Sequence, residues 1–380
     1  MIRLLALSFI IILLTSLPAG AEAGLQEICP PVGIQERARE FQPGGIILTT
    51  FDRSALWVYN IDSARRYPLP ETAPCTTHCR LSPDARWITY FNDLTNAFNR
   101  MRLDGTQRSL VIENAADVEW WSSNAFLVWT PGHGAYLLPF DGAERQRLDV
   151  NGVISVQPGG RWGVVVTQDG DRFTRSLVYL DMRVNAGVDP QALELGEDRA
   201  YFNAQAWSPD GRWLAYVAPV AVDGETIGAE IFGIAPGDPA PTQWTDLTAD
   251  YGAARVNGIA TGELSWSPDG TRLAFWVTEL LGADPTANTG NAVIHVLDVA
   301  SRKVTAYCGY STVEHTPNPP RLVWSPDGTH IAFGGNVPED DKGYLLLALD
   351  TATGIFTSLS DGIYPALGSA DVVAWGLPPG

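Results

Sequence analysis

Lysine is almost missing from this chain: Lys303 and Lys342 are the only two among 380 residues. Lysine and arginine together number 25 against 43 acidic residues, for a formal net charge of −18. Nucleic-acid recognition needs clustered positive charge, and anionic membranes attract polybasic segments, so neither is an expected partner. The acidic surface serves solubility. Histidine is also scarce: His78, His133, His295, His315 and His330 are all there are. No Gly-x-Ser-x-Gly elbow, His-Glu-x-x-His pair or phosphate loop occurs, which removes the chemistries those motifs carry.

Long apolar runs are absent except at the start. Met1-Ile2-Arg3 is a positive n-region, Leu4 to Leu14 an apolar stretch, and Ala21-Glu22-Ala23 a small-residue cleavage pattern. This predicts a signal peptide over 1–23, a product beginning at Gly24, no membrane span in the mature chain, and an extracytoplasmic location. Only four cysteines occur, Cys29, Cys75, Cys79 and Cys308, all beyond the leader. In an oxidising compartment an even count reads as disulfides. A local Cys75–Cys79 bridge is the simplest choice and leaves Cys29 to tether the N-terminal tail to Cys308. A metal site on Cys75, His78 and Cys79 is the rival, but structural zinc usually takes two such pairs, and only one is visible.

What the chain has in quantity is one phrase. Leu81-Ser82-Pro83-Asp84, Gln157-Pro158-Gly159-Gly160 and three copies of Trp-Ser-Pro-Asp-Gly (207–211, 266–270, 324–328) are variants of it. The last three lead into Leu214-Ala215-Tyr216, Leu273-Ala274-Phe275 and Ile331-Ala332-Phe333. Pro pre-sets the turn, Asp bonds back to the backbone and Gly takes the left-handed position, so each phrase is strand, hairpin turn, strand. Third and fourth strands follow, as in 292–298 and 302–307. Four antiparallel strands per repeat make a propeller blade. The anchors Leu81, Trp121, Val156, Trp207, Trp266, Trp324 and Trp375 lie 35 to 59 residues apart. After Trp375 the chain supplies one strand and stops. Residues 46–51, 55–62 and 65–69 read as the three strands that unit lacks. The expectation is an all-β, seven-bladed β-propeller over 45–380, closed by joining both termini in one blade, with 24–44 an N-terminal extension.

These repeats resemble the WD-like propeller repeat of the TolB family, whose signature is Trp-Ser-Pro-Asp-Gly followed by an Ile/Leu-Ala-Phe/Tyr strand. The resemblance spans about 45–380. TolB itself joins an α/β domain to a six-bladed propeller; no such domain fits in 24–44, so the resemblance implies the repeat and not that protein's task. Some serine peptidases carry such a propeller ahead of a hydrolase domain, and some polysaccharide lyases consist of one, but no matching catalytic cluster is found here.

In a four-stranded meander alternate loops share a face. The short phrase turns lie on one, and the insertions fall on the other, which marks a binding face. Its candidate residues are Asp169, Asp171, Tyr201, Phe202, Asp223, Tyr251, Asp284, Tyr310, His315 and Asp340. Acidic loops suit Ca²⁺, which takes several oxygens, but no EF-hand spacing is present and no cofactor is expected. The resulting expectation is a secreted, monomeric, non-enzymatic propeller that binds a protein or peptide through its long-loop face. The alternative is a propeller acting on a polysaccharide or small ligand at the central channel, with His315 and His133 as proton-transfer candidates.

Overall fold

A computed structural model describes residues 24–379 except 39–40, 53–54, 73–78, 133, 149–152, 181–191, 200, 223–226, 259–262, 281–288, 313–318, 337–343 and 360–370. Seven sheets follow one another along the chain. Blade one runs from the inside outward as Asp371–Gly376, Ile46–Asp52, Ala55–Asn60 and Arg65–Leu69. The C-terminal strand thus pairs antiparallel with the N-terminal one, Ile47 opposite Trp375 and Leu48 opposite Ala374, and the ring closes there.

Blade two comprises Arg80–Leu81, Trp87–Asn92, Ala97–Arg102 and Ser109–Glu113, and blade three Asp117–Ser122, Ala125–Thr130, Gly134–Pro139 and Gln146–Leu148. Blade four holds Val153–Val156, Trp162–Asp169, Arg172–Tyr179 and Leu193–Glu197, and blade five Gln205–Trp207, Leu214–Ala221, Ile227–Ile234 and Thr242–Gln243. In blade six the inner position is split. Arg255–Val256 and Ser265–Trp266 both pair with Arg272–Leu280, and Thr289–Asp298 and Lys303–Thr312 complete the sheet. Blade seven is Val323–Trp324, His330–Asn336, Tyr344–Asp350 and Phe356–Ser358.

The sheets stand radially, so both faces of each are covered by neighbours and alternate residues serve opposite seams. Ile46 and Leu48 pack between blades one and two, while Ile47 packs between blades seven and one. Among the described residues seven apolar clusters form, one in each seam. The tryptophans of the repeat stitch these seams. The indole N–H of Trp266 donates to Ala206 O in blade five (3.1 Å), and that of Trp324 to Ser265 O in blade six (2.9 Å).

The repeated phrase forms the inner hairpin turn in the same way each time. In blade five Ser208 Oγ donates to Asp210 Oδ1 (2.7 Å) and accepts from Trp213 N–H (3.0 Å). Ser267 and Ser325 repeat the pattern. Gly211, Gly270 and Gly328 sit at φ of 69°, 68° and 70°, the left-handed region that costs glycine little.

An N-terminal strap adds to the four-strand scheme. Leu25–Ile28 runs parallel to the outer strand of blade six, and Gln35–Glu36 parallel to that of blade seven. This strap covers two outer edges that would otherwise be open to pairing. A Cys29–Cys308 disulfide, with Cα atoms 5.1 Å apart, fastens it between the two contacts. Cys79 is also disulfide-bonded; Cys75, its expected partner, lies outside the described residues.

Candidate functional site

The inner strands surround a channel, and four of them carry a charged residue in their first few positions or just before them. Arg80 opens the inner strand of blade two, and Glu119 lies in that of blade three. Glu263 and Arg321 stand just before the inner strands Ser265–Trp266 and Val323–Trp324 of blades six and seven. Arg80 Nη2 lies 3.7 Å from Glu263 Oε1, Arg321 Nη2 lies 3.9 Å from Glu263 Oε2, and Arg80 Nε lies 3.9 Å from Glu119 Oε1. Blades two and six are separated by blades seven and one, so the Arg80–Glu263 pair reaches across the channel.

Beneath this bridge is a cavity of about 380 Å³. Arg80, Glu263 and Arg321 line it together with Trp120, Trp266 and Trp324. Pro83, Pro158, Pro209, Pro268 and Pro326 contribute from five inner turns, so the repeated phrase also shapes this wall. Such a volume falls within the range of about 300–1,000 Å³ usual for ligand sites, and an apolar wall with a few convergent charges is their usual chemistry.

The local fold fixes Glu263. Asn257, at φ 53°, donates from Nδ2 to Glu263 O (2.9 Å), while its Oδ1 accepts from Trp276 N–H (2.9 Å). Burial opposes ionisation of Glu263, but Arg321 and Arg80 outweigh it and hold its carboxyl below the usual range. Glu119 differs. Burial lifts its pKa, Arg80 lowers it only in part, and Asp117 and Glu263 lift it further, to about 7.

Glu119 should therefore set a pH dependence. An acid whose pKa is raised by folding binds more protons folded than unfolded, so stability falls as pH climbs from about 4.5 to about 7. Glu119→Gln is expected to stabilise the chain at pH 8 by on the order of 1–2 kcal/mol, after allowance for screening by channel water, and to do little at pH 4. Denaturant titrations at both pH values check this; equal shifts would reject it.

The residues expected from sequence fall elsewhere. Asp169 and Asp171 sit at the exposed tip of a blade-four hairpin. Tyr201 and Phe202 are 2% and 4% exposed and belong to the seam between blades five and six, and Tyr310 is buried between blades six and seven. Their aromatic area goes to the core: the segment carrying Tyr201 and Phe202 leads into blade five and packs in a seam, and Tyr310 lies on the outer strand of blade six and faces blade seven. Tyr251, at the end of a short helix Leu247–Tyr251, is half-buried and donates its hydroxyl to His295 Nε2 (2.8 Å). His295 Nδ1 bonds Val293 O (2.9 Å), and burial pushes the imidazole down to about 4, so this pair is a neutral seam contact. Nearby, Glu230 is fully buried and accepts from Thr245 Oγ1, Leu247 N–H and Thr248 N–H. None of the described candidates lines the channel cavity. Asp223, Asp284, His315 and Asp340, with His133, lie outside the described residues. Among the described residues no group of three or more His, Cys, Asp or Glu is placed to hold a metal, and no helix is long and apolar enough to cross a membrane.

The channel charges were not anticipated, although a signal exists: each stands one to three residues before a repeat anchor. Aligning the repeats on Leu81, Trp121, Trp266 and Trp324 brings Arg80, Glu119, Glu263 and Arg321 to neighbouring columns.

Sequence and structure together define a class, the seven-bladed β-propeller of four-stranded antiparallel blades, here with charges meeting across its channel. No family model matches the chain. A probable dipeptidyl-peptidase 5 of Emericella nidulans is 29% identical over 161 residues, 41% of this chain and 21% of that protein. The chain thus spans about a fifth of the length of this curated relative. Among solved structures, TolB from Acinetobacter baumannii superposes with a TM-score of 0.46 at 14% identity, covering 88% of this chain and 67% of that one. A puromycin-hydrolyzing peptidase of Mycobacterium tuberculosis gives 0.47 at 13% identity, covering 83% and 52%. The expectation of a non-enzymatic chain is corrected by the sequence match, since that relative is named as a peptidase.

Proposed function

We propose that this chain is an extracytoplasmic recognition propeller that seats a segment of a protein or peptide in its central channel, entered from the long-loop face. The observation that carries this reading is the cavity of about 380 Å³ under the Arg80–Glu263–Arg321 bridge. Charge and aromatic surface converge there, whereas the aromatic candidates of the loop face are buried in seams. The Cys29–Cys308 disulfide and the leader-like first 23 residues support a location outside the cytoplasm. The proposal concerns recognition, and it holds whether or not the seated segment is then cut.

Photo-crosslinking tests it. A benzophenone amino acid at Leu81, on the cavity wall, is expected to capture peptides selected on the full chain from a random display library. The same group at Asp171, on the exposed hairpin tip, is expected to capture none. Capture at Asp171 with none at Leu81 would remove the channel from the proposal.

A further inference from the structure

Two arginines, from blades two and seven on either side of blade one, converge on one carboxylate that the chain itself provides. Arg80 of blade two faces one oxygen of Glu263, and Arg321 of blade seven faces the other, at 3.7 and 3.9 Å. Charge-assisted hydrogen bonds between guanidinium and carboxylate close to about 2.7–2.9 Å, so Glu263 bridges the arginines without engaging either tightly. Its side chain remains 53% exposed, while those of Arg80 and Arg321 are 25% and 27% exposed. The Glu263 main chain is anchored through Asn257. The carboxylate can therefore leave by rotation about its own side-chain bonds, with the strand undisturbed. Arg80 and Arg321 line the cavity with Glu263, and Glu119 stands beside Arg80, so positive charge is gathered here in a chain that otherwise has an acidic excess.

We propose that Arg80 and Arg321 form a carboxylate clamp in the channel, that Glu263 is its resident occupant, and that the ligand is a peptide carboxylate, either a free C-terminus or an acidic side chain. The planar fork of each guanidinium matches the two oxygens of a carboxylate, and the two arginines already face different oxygens of Glu263. Trp120, Trp266 and Trp324 line the same cavity and offer apolar surface to the residues that precede the carboxylate. A resident carboxylate offsets positive charge in a partly desolvated site, where uncompensated charge is costly, and it does so beside the Glu119 that also faces Arg80. It also sets a threshold, since a ligand must outcompete Glu263.

The inference rests on the channel being the ligand seat, and its test separates the two. Calorimetry on the full chain would use N-acetyl-Ala-Leu-Phe as the free acid, the same peptide as its C-terminal amide, and N-acetyl-Ala-Asp-Phe-amide. The free acid is expected to bind at least tenfold more tightly than its amide. The Asp peptide reports whether a side-chain carboxylate serves as well. Glu263→Gln is expected to tighten the free acid at least threefold, because the resident competitor is gone while the side chain keeps its shape. Arg321→Lys is expected to weaken it, with thermal melting confirming that the variant is folded. Equal binding of acid and amide would overturn the clamp and leave the channel reading intact. Weaker binding by Glu263→Gln would also overturn it, since Glu263 would then be a partner of the ligand and not its placeholder. If no peptide binds, the clamp is overturned, and crosslinking from Leu81 still decides the channel reading separately.

Discussion

Deleting residues 371–380 is expected to abolish the cooperative fold. The strand Asp371–Gly376 is the inner strand of blade one, and its partner Ile46–Asp52 comes from the other end of the chain. Its side chains serve two seams at once. Val373 and Ala374 pack between blades one and two, and Val372 and Trp375 between blades seven and one. Val372 and Ala374 are 0% exposed, Trp375 1% and Val373 7%. At about 1.5–3 kcal/mol for each large apolar side chain buried, the two valines and the tryptophan together contribute about 4.5–9 kcal/mol. That is comparable to the whole stability of a typical domain, about 5–15 kcal/mol. The deletion also leaves Ile46–Asp52 as an inner edge open to foreign pairing. Circular dichroism melting should show no sharp transition, or one lowered by more than about 10 °C. A melt within a few degrees of the full chain would show that the ring does not depend on joining its termini.

The second large effect is expected from Cys29→Ser combined with Cys308→Ser. These residues are 279 apart in sequence, so the bridge restrains nearly the whole chain when unfolded. Chain-entropy reasoning gives about 5 kcal/mol for a loop of this size, and measured losses for native disulfides are typically about 2–5 kcal/mol. The folded state is affected too, because the bridge sits between the two contacts of the strap. Ile28 packs against the seam of blades six and seven, and Leu25 against that of blades five and six. A fraying strap would uncover the outer edges of both blades. Urea titration should show a loss of about 2–4 kcal/mol. Reductant should lower the wild type more than the variant, which keeps the disulfide of Cys79. An unaltered midpoint would mean that the strap holds without its bridge.

The blades were readable because each repeat carries its own turn chemistry, and because strands with both faces buried are continuously apolar. The shared blade was readable because the chain ends one strand into a unit whose other three strands open it. The strap was not: Leu25–Ile28 and Gln35–Glu36 bind through backbone in parallel to strands far away in sequence, and no side-chain pattern announces such pairing. The split inner strand of blade six escaped for a related reason, since Arg255–Val256 completes a sheet position that a second segment, Ser265–Trp266, also occupies. The site was the least readable part. Tyr201, Phe202 and Tyr310 carry the composition of a binding surface and the burial of a core, and composition does not distinguish the two. Arg80, Glu119, Glu263 and Arg321 are spread over 242 positions of the sequence and meet only because the ring brings its inner strands together.

The disulfide of the strap also has a consequence in time. Cys29 leaves the synthesis machinery 279 residues before Cys308, and Cys75 and Cys79 follow long before its native partner does. The first sulfurs that Cys29 can meet are the wrong ones. The strap and three strands of blade one must likewise wait for residues 303–376, so what is made first is positioned last. Maturation of this chain should depend less on how fast its thiols are oxidised than on how readily an early wrong bridge is exchanged, a step that takes seconds to hours unless an isomerase is at hand.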